Sequence, residues 1–458
     1  MLAGFLASAA FAPISQWYLG VIGFALFLHK LKGSPRPILD SILFGFFLNA
    51  FALHWTSKYV GATPWILLVL LQAIFYLPVG LIYRVGRNIG LAIFTILLME
   101  QLRAIFPFSG FAWTRIGFSQ ADSPALAIAP YGGVLAISAI TLLLALLVAN
   151  LNLRSVGMAL AIIVALLVIP SNQIDRGNLV LVGIQGSTPT VGLDFNSRAK
   201  AVFEKHRDAT YELATGDFAA VIWPENAIDI DPADYPEVQQ DILELTASLG
   251  KPLIAGVLLS TGDGPENASV LYNARGEANS TYVKRSLTPF GEYMPLRSLA
   301  EFISPLAKRV RDFSPGSALI THQINDVRVG PIICYEIIDD ALVSEMARAS
   351  QALIVQTNNA TFADTAQSRQ QLAITRIRAA EQRRAILSVS TIGISAVIDQ
   401  SGKVLAQTDE GTQEMIIGDL KLNSQNSFFN TWRLWIEPTI FLLILIASFW
   451  PNRRRFGI

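Results

Sequence analysis

One cysteine stands in the 458 residues, Cys334, within Gly330-Pro-Ile-Ile-Cys-Tyr-Glu336. An apolar, strand-like run leads into it, and a carboxylate follows two residues on. Upstream lie Trp223-Pro-Glu225 and Lys284-Arg-Ser-Leu-Thr-Pro-Phe-Gly-Glu292. A thiol, a carboxylate and an ammonium form a reaction centre that needs no histidine and no metal. The carboxylate of Glu225 can act as general base toward the thiol of Cys334. The ammonium of Lys284 would stabilise the oxyanion of an attacked carbonyl and also favour the thiolate. A backbone N–H near Tyr335 would be the second oxyanion donor.

Each of these residues also has a purely structural reading. Cysteine is among the most buried residue types and packs as a small hydrophobe. Glu225 ends a buried strand and would serve equally to turn the chain into solvent. Lys284 closes the alternating run Ser280-Thr-Tyr-Val-Lys, where a solvated lysine is common. Glu292 reads either as a loop glutamate after a glycine turn or as a second carboxylate that positions Lys284. Glu336 reads as a strand-end surface charge or as a supporting member of the site. The histidines offer less. His206, in Glu204-Lys-His-Arg-Asp208, reads as part of a solvated helix face, and His322 as part of a polar strand or turn. His54 beside Trp55 reads as an interfacial anchor. No Cys/His cluster has metal-ligand spacing, so no metal and no cofactor is expected. The sequons at Asn267 and Asn279 read as chance matches.

These groups need a scaffold, and the pattern after Pro170 supplies one. Strands are predicted at 179–185, 218–223, 253–259, 329–334, 352–357 and 386–391, and helices at 197–214, 234–249, 340–349 and 365–384. Turn chemistry at Tyr272-Asn-Ala-Arg-Gly-Glu277 and Ile398-Asp-Gln-Ser-Gly-Lys403 predicts two hairpins. Strands alternating with helices argue for an α/β layered domain.

The remainder is too apolar for an ordinary soluble protein. Hydrophobic residues make up 52% of the chain, charged residues 15%, and mean hydropathy is +0.44. The formal net charge is zero, which gives no support to nucleic-acid binding. A lone cysteine excludes an intramolecular disulfide. Crossing a bilayer takes about 20 apolar residues. Residues 64–83, 123–149 and 438–450 carry no charge, 38–56 and 88–106 carry few, and 155–170 form a shorter run. Residues 1–28 are uncharged but divided by Pro13, so they read as one span or a hairpin of two. Glu100 and Arg103, three apart near a span end, read as an ion pair or a headgroup contact more readily than as a polar pathway. The domain expectation is a transmembrane bundle over 1–170 (seven spans, or six if 1–28 is one), a catalytic domain over 171–430, and a final span with a basic tail over 431–458. Lys30, Lys32, Arg36, Arg84, Arg87, Arg154 and Arg453–Arg455 fall on one side if spans alternate, which makes that side cytoplasmic and 171–430 extracytoplasmic.

Together, Trp-Pro-Glu, Lys-Arg-x-Leu-x-Pro-Phe-Gly-Glu-Tyr and Cys-Tyr-Glu resemble the three blocks of the nitrilase (carbon–nitrogen hydrolase) superfamily. The order Glu225, Lys284, Cys334 matches that family's triad, with separations of 59 and 50 residues. With a multi-span N-terminus and one C-terminal span, nearly the whole chain resembles the apolipoprotein N-acyltransferases of the bacterial cytoplasmic membrane. The resemblance implies a multi-pass helical membrane bundle plus an extracytoplasmic αββα sandwich. It implies that an acyl chain passes from a membrane phospholipid to Cys334 as a thioester, then to the α-amine of the S-diacylglyceryl cysteine of a prolipoprotein. It casts Glu225 as base, Lys284 as oxyanion stabiliser and Cys334 as nucleophile. Glu292, Tyr335 and Glu336 fall at supporting positions, and Phe195 at an aromatic lining the acyl pocket. The chain departs from the family at Asn358-Asn-Ala-Thr-Phe-Ala363, where Asn-Asp-Ala-Trp-Phe-Gly is usual, and at Thr391-Ile-Gly393 in place of Asn-Asn-Gly. These changes bear on lid closure and donor preference more than on the triad. The same triad would also serve a membrane-tethered amidase that gives the acyl group to water. A transporter or scaffold with an inactive domain would be expected to lack a triad member.

Overall fold

The computed structural model describes residues 1–170, 174–192 and 200–449. Phe195 and the arginines of the tail lie outside these residues. The chain divides into two compact units, Asn172–Asn426 and Met1–Ser171 with Ser427–Ile458.

The Asn172–Asn426 unit is a two-sheet sandwich. Its strands are β1 (Asn178–Gln185), β2 (Ala220–Ile222), β3 (Leu253–Thr261), β4 (Gly264–Tyr272), β5 (Ala278–Val283), β6 (His322–Ile324), β7 (Val327–Ile333), β8 (Ala352–Thr357), β9 (Ile386–Ser390), β10 (Ala396–Ile398), β11 (Val404–Gln407) and β12 (Glu414–Lys421). One sheet runs β12-β1-β2-β3-β4-β5, the other β11-β10-β9-β8-β7-β6. Each has a parallel centre, β1-β2-β3 and β7-β8-β9, flanked by antiparallel strands. Parallel centres covered on both faces explain the nearly unbroken apolar runs in the sequence.

Alternation sorts those runs into two cores. Leu181, Ile222, Ile254 and Leu271 of the first sheet meet Val329, Ile354, Leu387 and Val389 of the second. Val182, Val221, Leu253 and Val270 point the other way and pack with Phe203, Ile242 and Leu245 of the helices Ala201–Leu213 and Pro236–Leu249. Burying each such side chain is worth about 1.5–3 kcal/mol. Helices Asp340–Ala349 and Gln367–Gln382 accompany the second sheet.

Both expected hairpins form, and by one device. Asn273 Oδ1 accepts from the N–H of Arg275 at 2.8 Å, and Asp399 Oδ1 from that of Ser401 at 2.8 Å. Gly276 and Gly402 then take φ of 72° and 83°, which glycine adopts without a Cβ penalty.

One histidine expectation fails, and a second histidine, in a strand as expected, is also buried. His206 is buried, its Nδ1 2.8 Å from the Val202 carbonyl and its ring against Trp223. His322 is buried between the hydroxyls of Ser269 and Ser280, at 2.9 and 2.7 Å. Charged neighbours in sequence hid the inward-facing position of His206.

The other unit is helical. Residues 1–28 resolve into two helices, Leu2–Ser8 and Trp17–Lys32. They approach closely at Gly23, where a Cβ would lie 2.4 Å from the Ala7 nitrogen. Small residues at such crossings let helix backbones pack directly in lipid. Three helices among the described residues are long and apolar enough to cross a membrane: Ala62–Gly86, Pro124–Ala149 and Phe428–Phe449. Pro37–Ala52 followed by His54–Val60, bent by 57°, makes a fourth if counted as one span. The runs expected at 88–106 and 155–170 form the shorter apolar helices Ile89–Leu102 and Leu153–Leu167. Glu100 and Arg103 form a buried ion pair at 3.7 Å, and Arg103 also donates to Gln72 and Thr114.

Candidate active site

The chemistry-bearing residues sit where strands end. Glu225 follows β2 by way of Trp223 and Pro224, Lys284 follows β5, Cys334 follows β7 and Asn358 follows β8. In α/β sheets the carboxyl ends of parallel strands are where ligands bind. Gln356 of β8 donates to the Trp223 carbonyl at 2.7 Å, tying the two sheets beside Glu225. A Cβ on Gly256 would lie 2.6 Å from the Glu225 Cα, so the Glu225 backbone rests directly on β3.

Lys284 is buried, and its Nζ donates to Glu292 Oε1 at 2.8 Å and to Glu225 Oε1 at 3.2 Å. Asn267 of β4 donates through Nδ2 to the same two oxygens, each at 2.8 Å. The outer oxygens are held by backbone: Glu225 Oε2 accepts from the Asn358 N–H at 2.8 Å, and Glu292 Oε2 from the Thr288 N–H at 2.7 Å. The result is a buried, fully hydrogen-bonded set of two carboxylates and one ammonium.

Cys334 begins a 3-10 turn, Cys334–Ile338, with φ of +49°. The sequence extends the strand to 334; the structure ends it at Ile333 and turns the chain sharply there. A left-handed conformation is strained for a residue with a side chain, and such strain persists only where the surroundings enforce it. Glu336 does the enforcing. Its carboxylate accepts from the N–H of Ile333 at 2.8 Å, of Arg285 at 2.7 Å and of Ser286 at 3.2 Å, and from the Tyr282 hydroxyl at 2.8 Å. It thus clamps the cysteine turn to the chain just after Lys284. Glu336 is buried, which decides between its two sequence readings against a surface charge.

Charges and burial set the protonation states. The Glu225 carboxylate acts on the Cys334 thiol. Enclosure raises its pKa, Glu225 raises it further, and Lys284 opposes them without prevailing. The ammonium therefore favours the thiolate as the sequence suggests, but the resting sulfur is a protonated thiol. Burial lowers the Lys284 pKa; Glu225 and Glu292 more than offset this and hold it above the usual value. Burial alone would raise Glu292, yet Lys284 and the bonds from Thr288 and Asn267 hold it below the usual carboxylate range. Burial pushes Glu336 up to about 7, against the pull of its backbone donors and Lys284. Burial also raises the Tyr335 hydroxyl.

Residues 182–428 match the carbon–nitrogen hydrolase family, and residues 3–147 match the N-terminal domain of apolipoprotein N-acyltransferase. A curated apolipoprotein N-acyltransferase from Mycolicibacterium smegmatis is 30% identical over 96% of this chain and 81% of its own length. The chain belongs to the apolipoprotein N-acyltransferase family. Another curated member, from Pseudomonas putida, is 29% identical over 95% of this chain and 93% of its own. Among solved structures, a carbon–nitrogen hydrolase superfamily protein from Xanthomonas campestris is 18% identical, covering 54% of this chain and 91% of that one, with a TM-score of 0.41.

The structure thus brings Glu225, Lys284, Cys334 and Glu292 together and places Glu336 directly behind them. Sequence reasoning missed Asn267, Asn358 and Gln371 as members of the site. Asn267 is buried between the carboxylates, which closes its sequon to modification. Its signal was available, since Asn267 pairs with the strand that leads to Lys284, but only strand register reveals it. Asn358 opens the loop that departs from the family pattern.

Proposed function

We propose that this family member transfers acyl chains through a thioester on Cys334. The observation that carries this reading is the buried Glu225 carboxylate, held by Lys284, Asn267 and the Asn358 N–H, which together with burial raises the pKa of the Cys334 thiol. Glu225 takes the thiol proton as the sulfur attacks the ester carbonyl of a phospholipid. Lys284 and the Tyr335 backbone N–H receive the oxyanion. The lysophospholipid alcohol leaves with the proton that Glu225 returns, and the acyl group remains on sulfur. The α-amine of a diacylated lipoprotein cysteine then attacks the thioester, Glu225 takes its proton, and the thiolate leaves and is reprotonated. Glu292 fixes Lys284, and Glu336 fixes the cysteine turn. Lys284 does not itself act as nucleophile, because two carboxylates hold it as an ammonium. Splitting the transfer this way predicts ping-pong kinetics.

A lipidic substrate suits the surface beside Glu292. Phe290, Leu296, Leu299 and Phe302 are exposed on the segments flanking it, Phe302 to 87%. Such side chains belong against acyl chains more than in water. We place residues 1–170 and 431–458 in the bacterial cytoplasmic membrane as a multi-pass bundle, with residues 171–430 extracytoplasmic and the C-terminus cytoplasmic. Support comes from the apolar helices and from basic residues at Lys30, Lys32, Arg36, Arg84, Arg87 and Arg154.

The test is incubation of the full chain with phospholipid vesicles and a diacylated lipopeptide bearing a free N-terminus. The expected product is the N-acylated lipopeptide, with initial rates that give parallel double-reciprocal lines. Free fatty acid as the sole product, unaffected by added lipopeptide, would replace acyl transfer with hydrolysis.

A further inference from the structure

The mechanism above leaves one contact to the sulfur unused. Gln371, on the helix Gln367–Gln382, is buried, and its Nε2 lies 3.8 Å from Cys334 Sγ in donor geometry. A side-chain amide can present either end, so what matters is what holds it. Gln371 Oε1 accepts from Asn359 Nδ2 at 2.9 Å and from Gln367 Nε2 at 3.0 Å. Two donors on the oxygen force the NH2 end toward the sulfur. Asn359 is oriented in turn, because its Oδ1 accepts from Thr357 Oγ1 at 3.0 Å and Ser390 Oγ at 2.5 Å. Its Nδ2 then has only amide oxygens to face, those of Gln371 and Gln367. The amide directions along this chain of contacts are mutually consistent, with the hydroxyls of Thr357 and Ser390 donating at its far end.

The helix is also locked in register to the cysteine turn. Two turns beyond Gln371, buried Arg378 donates to the carbonyls of Ile337 and Ile338 at 2.8 and 3.0 Å. Its other bonds run to Asp340 and Glu381. The helix therefore cannot slide without breaking the turn that carries Cys334.

We infer that Gln371 is a further catalytic residue, whose amide N–H donates to the Cys334 sulfur whenever that sulfur carries negative charge. Charge appears there twice: as the thiol loses its proton to attack the donor ester, and as the thiolate departs from the thioester. In both moments the neighbouring charges are Glu225 and Glu292, which disfavour a thiolate, and Lys284, which favours it. Lys284 is committed to two carboxylates, so a neutral donor adds stabilisation without adding a proton to lose. Hydrogen bonds to charged groups are about twice as strong as neutral ones. The donor thus contributes more in the transition states than to the resting thiol, which is what acceleration requires.

Because Cys334 is the sole cysteine, its alkylation reads this sulfur alone. The experiment compares full-length protein with Gln371→Leu and Gln371→Glu in iodoacetamide labelling across pH, followed by intact mass. Gln371→Leu should move the labelling profile up by about one pH unit and slow both acylation and deacylation by about tenfold to a hundredfold. Gln371→Glu, an acceptor when ionised, should move the profile further in the same direction. If Gln371→Leu does not fold, Gln371→Asn, a donor too short to reach, carries the same expectation. A labelling profile unchanged in a folded variant overturns the inference, as does a loss confined to one of the two half-reactions. The inference rests on Cys334 being the nucleophile. The labelling titration needs no acyl substrate, so it distinguishes failure of Gln371 from failure of the acyl-transfer reading.

Discussion

The two sheets bring opposite kinds of chemistry to the site. The first contributes Glu225, Lys284, Glu292 and Asn267: three buried charges arranged so that every one has a partner of opposite sign or an amide. The second contributes Cys334 and, on the side where Gln371 meets the sulfur, a run of neutral groups: Gln371, Asn359, Gln367, Thr357 and Ser390. The difference teaches a division of labour. Charge that must stay fixed is built into one sheet, where mutual pairing offsets the cost of burying it. The atom that must change charge stands on the other, where the side chain that donates to it, Gln371, is neutral.

That contrast can be broken from either side. On the charged side, Glu225→Gln removes the proton acceptor while Lys284 keeps Glu292. Acyl-adduct formation should slow by about a thousandfold, within the general-base range, in rapid-quench assays. Lys284→Met strands two carboxylates. It should cost about 3–5 kcal/mol of stability in denaturant unfolding, and slow acylation by about a hundredfold or more. Retention of wild-type stability would show that the three charges do not act as one set. Gly256→Ala touches no charge but sets a methyl against the Glu225 Cα. A displaced base should lower kcat by about ten- to a hundredfold, and the clash with the Pro224–Asn226 backbone should cost about 1–3 kcal/mol in denaturant unfolding. Rates equal to wild type would mean that Glu225 tolerates displacement.

A pH-dependent effect lies behind the neutral side. Glu336 sits at about 7 in the fold against a usual 4.5. The folded state therefore holds its proton more tightly than the unfolded chain. The favourable contribution is complete below about pH 4.5 and is lost as pH rises through about 7, a difference of roughly 3 kcal/mol. Glu336→Gln should flatten the stability–pH curve between those values and lower the unfolding midpoint at every pH, because one acceptor oxygen becomes a donor facing N–H groups. A variant whose curve still falls across that window would assign the slope to another group.

The charged side was more legible in the sequence than the neutral one. Glu225, Lys284 and Cys334 stand in short motifs at strand ends, and Glu292 belongs to the Lys284 motif itself. The strand at 352–357 and the helix at 340–349 appear where the sequence pattern places them. Asn267 and Gln371 were not legible, because each meets the site only through pairing between distant segments: β4 with β5, and a helix locked to the cysteine turn by Arg378. Nor did the string around Cys334 reveal its left-handed backbone. That conformation comes from Glu336 and the chain near Arg285, about fifty residues upstream. The bend after Ala52 likewise lay within what read as one apolar run.

The central claim is that acyl chains rest on Cys334 between two half-reactions. Full-length protein mixed with phospholipid and no amine acceptor, then digested and analysed by mass, reads this directly. The account predicts one acyl group per chain on the Cys334 peptide, removed by neutral hydroxylamine and absent in Cys334→Ala. An acyl group on any other residue, or N-acylated lipopeptide made at full rate by Cys334→Ala, would contradict it.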